Sequence, residues 1–289
     1  MNHRSDSRHA SSIPPVLRDR EFNRFSSFIY DEIGIKMPPA KRTMLEARLH
    51  KRLKALDMAS FETYADFVFS EKGRSEELIH LLDVVTTNKT DFFREPAHFD
   101  YLVKTVIPTL LLDRGAGSKT PFKIWSAGCS SGEEPYTMAM VLAEYAETCP
   151  GFMATILATD ISTTVLTKAR TAVYPEDTAD TIPLNMKKKY LLKSRDKSRR
   201  LVRIMPGLRS MVQFRRLNFM QDFGMTELMD VIFCRNVIIY FDKPTQERLL
   251  NRFCRQIVKG GYLFLGHSES INGLDVPLTA VASTVYRKL

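Results

Sequence analysis

The sequence predicts an α/β protein: a doubly wound, mostly parallel sheet with an inserted antiparallel β-subdomain, preceded by a small all-α N-terminal domain. Three observations predict it. From Phe122 onward, short apolar runs alternate with helix-length amphipathic runs. Before Phe122, every periodic stretch has helical spacing. At the first strand-to-helix junction stands Gly128-Cys129-Ser130-Ser131-Gly132-Glu133-Glu134-Pro135-Tyr136, a glycine-bearing turn of the kind that brings backbone close to a ligand.

The elements follow in order. Residues 1–20 are polar, rich in Ser and Arg, contain Pro14-Pro15, and read as a disordered tail. Residues 21–90 read as a helical domain. Phe22, Phe25, Ile29 and Ile33 form its first apolar stripe, and Gly34 and Pro38-Pro39 break the chain after it. A second helix is expected over 40–56, with Leu45, Leu49, Leu53 and Leu56 on one face. Lys41, Arg48, Lys51 and Arg52 lie beside that face in a basic stripe. Acids are sparse around the stripe, which suits it to dock an acidic partner. Further helices are expected near 60–70 and 75–86. Residues 91–121 join the domains through a helix over 97–112 and a linker over 113–121 with Gly115, Gly117 and Ser118.

Residues 122–289 form the α/β domain. Strands are expected at 122–127, 154–159, 230–235 and 261–266, and helices at 134–147, 162–171 and 244–258. Ala280 to Tyr286 reads as a final strand near the sheet edge. Within this domain, at about 193–217, two strands (199–204 and 211–217) around Met205-Pro206-Gly207 read as a basic hairpin standing apart from the central sheet.

Composition narrows the function classes. The 289 residues carry 42 Lys+Arg against 33 Asp+Glu, a net charge of +9, which calls for an acidic partner without naming one. No apolar run approaches the ~18 residues of a membrane span, and the N-terminus lacks the apolar stretch of a signal peptide. The expectation is a cytoplasmic monomer without direct membrane insertion. Cys129, Cys149, Cys234 and Cys254 form no metal-ligand pair and no disulfide framework. Cys129 and Cys234, at strand ends, read as small buried residues, and no metal is expected.

The junction at Gly132 carries the chemistry. Glu133 and Glu134 at a helix start would repel a pyrophosphate but suit a cationic ligand, and S-adenosylmethionine has both a sulfonium and an ammonium. Asp160 ends the second strand, where a carboxylate can accept hydrogen bonds from ribose hydroxyls. Asn236, after the fourth strand, can donate and accept near the cofactor, and Tyr240 can place a ring beside the transferring methyl. In Thr86-Thr87-Asn88-Lys89-Thr90-Asp91-Phe92-Phe93-Arg94, Arg94 suits a carboxylate held bidentately; the segment reads as a helix cap or as a lid from the first domain. A competing reading takes Gly128-x-Ser130-x-Gly132 as a hydrolase elbow, with Asp230 and His267 in the matching chain order. The all-helical upstream region and the lack of a Gly-rich oxyanion loop oppose it.

Four motifs carry a resemblance: Thr87-Asn88-x-Thr90-x-Phe92-Phe93-Arg94, Gly132-Glu133-Glu134-Pro135-Tyr136, Phe233-Cys234-Arg235-Asn236-Val237-x-Ile239-Tyr240-Phe241 and Gly266-His267-Ser268-Glu269. In this order, from about residue 20 to the end, the chain resembles the CheR-type chemotaxis receptor methyltransferases. The resemblance implies methyl esterification of glutamates on chemoreceptor cytoplasmic helices, with S-adenosylmethionine as donor. By position it implies cofactor contacts at Asn88, Thr90, Arg94, Glu134, Asp160, Asn218, Phe219, Asn236 and Val237, with Arg94 and Tyr240 near the methyl group. Some members tether a receptor tail through a Gly-rich loop of the β-subdomain, where this chain reads Lys193-Ser194-Arg195-Asp196-Lys197.

The implied chemistry is self-consistent. A glutamate, with a reference pKa of about 4.3, is already an anion at neutral pH, so no general base is required. A nucleic-acid methyltransferase is the nearest rival, but the place of its Asn/Asp-Pro-Pro-aromatic turn holds Arg235-Asn236-Val237-Ile238. No nucleic acid is therefore expected as partner. A binding module that only retains the pocket is the rival from another class; the presence of Arg94 and Tyr240 speaks against it.

Overall fold

The computed structural model describes residues 15–289, which divide into two compact units. One comprises the chain through Phe28 together with Met37–Val85; the other comprises Ile29–Lys36 and Thr86–Leu289. The expected disordered tail lies outside the described residues over 1–14. Beyond that point Leu17 is fully buried and helix α1 (Asp19–Ile33) has begun, so the tail does not extend to residue 20.

In the first unit, α2 (Arg42–Ala55), α3 (Phe61–Phe69), α4 (Glu71–Glu76) and α5 (Leu78–Val85) follow α1. Leu45, Leu49 and Leu53 bury the expected face of α2. The Ser60 and Ser70 hydroxyls cap α3 and α4 by accepting from the amides of Thr63 and Gly73. Phe25 packs against Tyr64 and Phe69, with centroids 5.7 and 5.3 Å away. No described helix is long and apolar enough to cross a membrane.

The second unit opens with α6 (Ala97–Tyr101), a π-helical turn (Leu102–Val106) and α7 (Ile107–Arg114). Then follow β1 (Phe122–Ala127), α8 (Glu133–Thr148), β2 (Ala154–Asp160), α9 (Thr163–Thr171) and β3 (Val173–Pro175). Next come α10 (Leu184–Tyr190), β4 (Leu191–Lys193), β5 (Leu201–Ile204), α11 (Pro206–Ser210) and β6 (Val212–Arg216). The chain ends through β7 (Met229–Cys234), α12 (Lys243–Gln256), β8 (Ile257–Leu265), β9 (Leu278–Ala282) and β10 (Val285–Lys288).

The seven-stranded sheet has the order β6-β2-β1-β7-β8-β10-β9. It is parallel from β6 to β8, and β10 and β9 are antiparallel. From β1 the chain first winds outward through β2 to β6, then returns to β7 on the other side of β1. The strand order therefore reverses between β1 and β7, where open α/β sheets hold their ligands. Apolar layers cover the sheet; Trp125, fully buried, packs edge-on to Phe223 and Phe253 at 5.3 and 5.1 Å.

Two strand expectations are corrected. The hairpin over 199–217 does not form. β5 joins a small antiparallel sheet of order β3-β5-β4, whereas β6 pairs in parallel with β2 as the edge of the central sheet. Met205-Pro206-Gly207 starts α11 instead of turning a hairpin, because Pro206 takes the first helical position. An edge strand tolerates exposed Gln213 and Arg216, which is why β6 resembles a surface hairpin in sequence. The final apolar stretch is likewise two strands, β9 and β10, broken at Ser283-Thr284, where Thr284 has φ +53°.

Candidate active site and cofactor cavity

A cavity of about 290 Å³ opens at the carboxyl ends of β1, β2 and β7. Asn88, Thr90, Arg94, Glu134, Asp160, Asn218, Phe219, Asn236, Val237 and Tyr240 all line it, joined by Ile33, Ile35, Phe99, Gly128, Ser130 and Arg235 among others. Everything that the sequence placed at the cofactor or near the methyl group thus converges on one space.

The turn after β1 is shaped by close approach. Gly128 (φ +85°) would place a Cβ 2.5 Å from Val237 Cγ2, and Gly132 (φ +100°) would place one 2.9 Å from Ala169 Cβ. Only glycine avoids both the clash and the strained backbone. Asp160 fastens this turn: one carboxylate oxygen accepts from the Ser130 amide at 2.9 Å, and the other from the Ser162 amide at 2.9 Å. From the same turn, Ser130 Oγ donates to the Asn88 carbonyl at 2.8 Å. Phe92 is fully buried, edge-on to Tyr174 at 5.0 Å.

The two glutamates at the start of α8 diverge. Glu133 is buried away from the cavity and accepts from Ser131 Oγ. Glu134 faces the cavity. Its Oε1 accepts from Ser126 Oγ at 2.7 Å, and its Oε2 from Arg235 Nη1 at 3.1 Å. Burial pushes the Glu134 carboxyl above the usual carboxylate range despite the opposing pull of Arg235.

Arg235 ties these groups together. Its side chain is 2% exposed. Besides Glu134 it donates to Glu95 Oε2 from Nε (3.2 Å) and Nη2 (3.0 Å), and to the Arg94 carbonyl. Phe99 lies under the guanidinium at 5.5 Å. Burial opposes ionisation of Glu95, yet Arg235 and the His267 amide prevail and hold its carboxyl below the ordinary range. Two carboxyl groups thus share one guanidinium, and Asp160 adds a further acidic group on the cavity wall.

The loop after β7 is held from below. Asn236 has φ +59°. Its amide, with those of Gly266 and Ile239, donates to the buried carboxylate of Glu269 at 2.8, 2.6 and 3.2 Å. A Cβ on Gly266 would stand 2.4 Å from Asn236 Nδ2, so glycine is required there.

Two family models divide the chain between them. The CheR methyltransferase all-alpha domain matches residues 20–86, and the CheR methyltransferase SAM binding domain matches residues 88–287. The chain belongs to the CheR methyltransferase family. It is similar to the chemotaxis protein methyltransferase of Borreliella burgdorferi, 41% identical over 93% of this chain and 94% of that protein. It is also similar to that of Escherichia coli, 36% identical over 94% and 91%. Chemotaxis protein methyltransferase 2 of Pseudomonas aeruginosa is 36% identical over 96% and 98%. As a CheR-family member the chain is an S-adenosylmethionine-dependent methyltransferase of chemotaxis, and the cavity is the natural place for that cofactor. The donor set fits: carboxylates for the positive groups of the ligand, an aromatic ring at Phe219, and glycine-lined turns for close approach.

Against the CheR motifs, several assignments gain detail. Asn218 spends its side chain on the fold: Nδ2 donates to the Glu32 carbonyl at 2.7 Å, and Oδ1 accepts from the Met220 amide at 2.9 Å. What it offers a ligand is backbone. Arg94 is half-buried on the cavity wall, with Nη1 donating to the Lys89 carbonyl at 3.1 Å. The boundary between the units falls after Val85, so Thr86–Thr90, expected in the helical domain, count with the second unit. The contacts of Asn88 and Phe92 explain this.

The hydrolase reading fails on geometry. Asp230 lies at the opposite end of the sheet, accepting from the Lys123 amide near the start of β1. A strand of this length puts it about 13 Å from the β1 carboxyl end that carries Ser130. Cys129 and Cys234 are buried, and burial pushes both thiols well up, as the reading of small inert residues requires.

Apart from Lys41, which immediately precedes it, the basic stripe lies on α2 in the first unit, and only part of it faces solvent. Arg52 donates to both carboxylate oxygens of buried Glu77 at 2.6 and 2.8 Å, and Arg48 donates to the Val85 carbonyl. Lys51 is exposed and Lys41 partly so. A stripe of four free cations is therefore not what α2 presents: Arg48 and Arg52 hold the helical unit together.

Proposed function

We propose that this protein transfers the methyl group of S-adenosylmethionine to glutamate side chains on the cytoplasmic helices of chemoreceptors, acting in the cytoplasm as a monomer. One observation carries the reading: the cavity at the switch point is lined by Glu134 and Asp160, with Arg94 and Tyr240 on its wall and no histidine among its described lining residues. A carboxylate nucleophile needs no base, and a cationic donor needs carboxylates.

In this reading Glu134 holds the methionine ammonium and Asp160 the ribose. Asn218 and Phe219 frame the adenine. Asn88, Thr90, Asn236 and Val237 complete the cofactor wall. Arg94 orients the substrate carboxylate, and Tyr240 positions the reacting pair. A carboxylate oxygen attacks the methyl carbon in line; the carbon–sulfur bond breaks, and its electron pair stays on sulfur as the neutral thioether. An anion and a cation become two neutral products, so a dry cavity that holds them in line favours the step. Incubation of receptor cytoplasmic fragment with methyl-labelled donor is expected to yield base-labile label on the fragment, and Tyr240→Phe to lower turnover by about 10–100-fold, more than it lowers donor affinity. Base-stable label, or label on tRNA, would overturn the reading.

The docking role narrows to the exposed part of α2, Lys51 foremost. Lys51→Glu is expected to raise the Michaelis constant for receptor several-fold at low salt, leave kcat unchanged, and flatten the salt dependence. A Michaelis constant indifferent to this reversal would make the stripe plain surface. Arg48→Glu is a poorer test, since it would also remove a hydrogen bond inside the helical unit.

A further inference from the structure

Around Glu95, outside the residues that line the cofactor cavity, lies a cluster that methyl transfer does not use. His98 is 2% exposed. Its Nε2 lies 2.9 Å from Thr284 Oγ1, and its Nδ1 has no hydrogen-bond partner. That Nδ1 faces Glu95 Oε2 at 3.4 Å, and Nε2 of His267 lies 3.9 Å from the same oxygen. The His267 side chain is 55% exposed and stands edge-on to His98, with ring centroids 5.1 Å apart. The three ligand atoms lie within 4.8 Å of one another.

With the proton of His98 on Nε2, toward Thr284, its Nδ1 lone pair points at a carboxylate, and two acceptors face each other in a buried space. A cation between the two groups relieves this.

We propose that Glu95, His98 and His267 form a binding site for a divalent transition-metal ion of the zinc group. Two imidazole nitrogens and one carboxylate are the donors such ions prefer, with an open fourth position for water. Tetrahedral zinc at its usual bond lengths sets its ligand atoms about 3.3 Å apart. The His98–Glu95 separation already matches that, and exposed His267 closes the remainder by rotating. The Thr284 contact supplies the outer hydrogen bond that fixes the tautomer of a ligating histidine. Arg235 also reaches Glu95 Oε2, from one edge of its guanidinium, but a carboxylate offers about four lone-pair sites.

The test uses the full chain, stripped with a chelator and dialysed. Zinc is titrated against a chromophoric competitor, and cobalt is titrated in parallel by its visible absorption. Wild type is expected to bind one equivalent more than His267→Ala, and that equivalent should carry the intense visible bands of four- or five-coordinate cobalt. His98→Gln should lose the same equivalent. If His98→Gln does not fold, His267→Ala decides alone, since an exposed side chain is not needed for folding. Equal stoichiometry in wild type and His267→Ala, or weak six-coordinate cobalt bands in both, would overturn the site.

Discussion

Arg235→Met is expected to destabilise the protein by about 3–5 kcal/mol, the cost of stranding buried charge partners. The guanidinium is the shared partner of Glu95 and Glu134, whose side chains are only 10% and 13% exposed. Methionine preserves volume but leaves both carboxylates without a cation. Burial already holds Glu134 above its ordinary pKa with Arg235 present, and removing the arginine raises it further. A carboxyl whose folded pKa exceeds its unfolded value favours folding only while protonated, so stability falls as pH rises through that folded value. The deficit of the variant against wild type should therefore be smaller at pH 5 than at pH 8. Urea unfolding at both pH values measures it. A deficit under about 1 kcal/mol that ignores pH would mean that the pair sits in effectively aqueous surroundings. The triple variant with Glu95→Gln and Glu134→Gln should recover part of the loss, since neutral amides need no counterion.

Asp160→Ala is expected to weaken binding of S-adenosylhomocysteine about 100-fold by calorimetry. Hydrogen bonds to a charged acceptor contribute about 1.5–3 kcal/mol each, and the proposed ribose contact uses up to two. A second effect separates this residue from a simple ligand contact. The carboxylate also holds the amides of Ser130 and Ser162. Its loss orphans buried donors and should cost about 1–3 kcal/mol of stability in the unliganded protein. Asp160→Asn retains one acceptor and should restore much of the stability but less of the affinity. Wild-type affinity in Asp160→Ala would remove this residue from the cofactor site.

The parallel core was readable because its signals are local. β1 occupies 122–127 as expected, and α8 lies within a residue of its expected limits at each end, since apolar strands flanked by glycine turns announce themselves. β6 was misplaced because partnership with β2 is a long-range fact, and an edge strand carries the same half-exposed pattern as a free hairpin. The glutamates of α8 were visible as a pair, but only packing shows that Glu134 faces the cavity and Glu133 does not. Arg235 stood in a quoted motif without a role. Its partners Glu95 and Glu134 lie 140 and 101 residues away in the chain, beyond any periodicity. The same separation hid the facing of His267 and His98.

Glu269 has a kinetic consequence. One buried carboxylate grips amides from the loops leaving two adjacent strands, β7 and β8. Those loops are thus set before any small molecule arrives, and a newcomer spends little entropy ordering them. Donor association should then run as a single fast phase whose rate rises linearly with donor concentration, while Glu269→Gln, which weakens the clasp, should introduce a slow step that saturates.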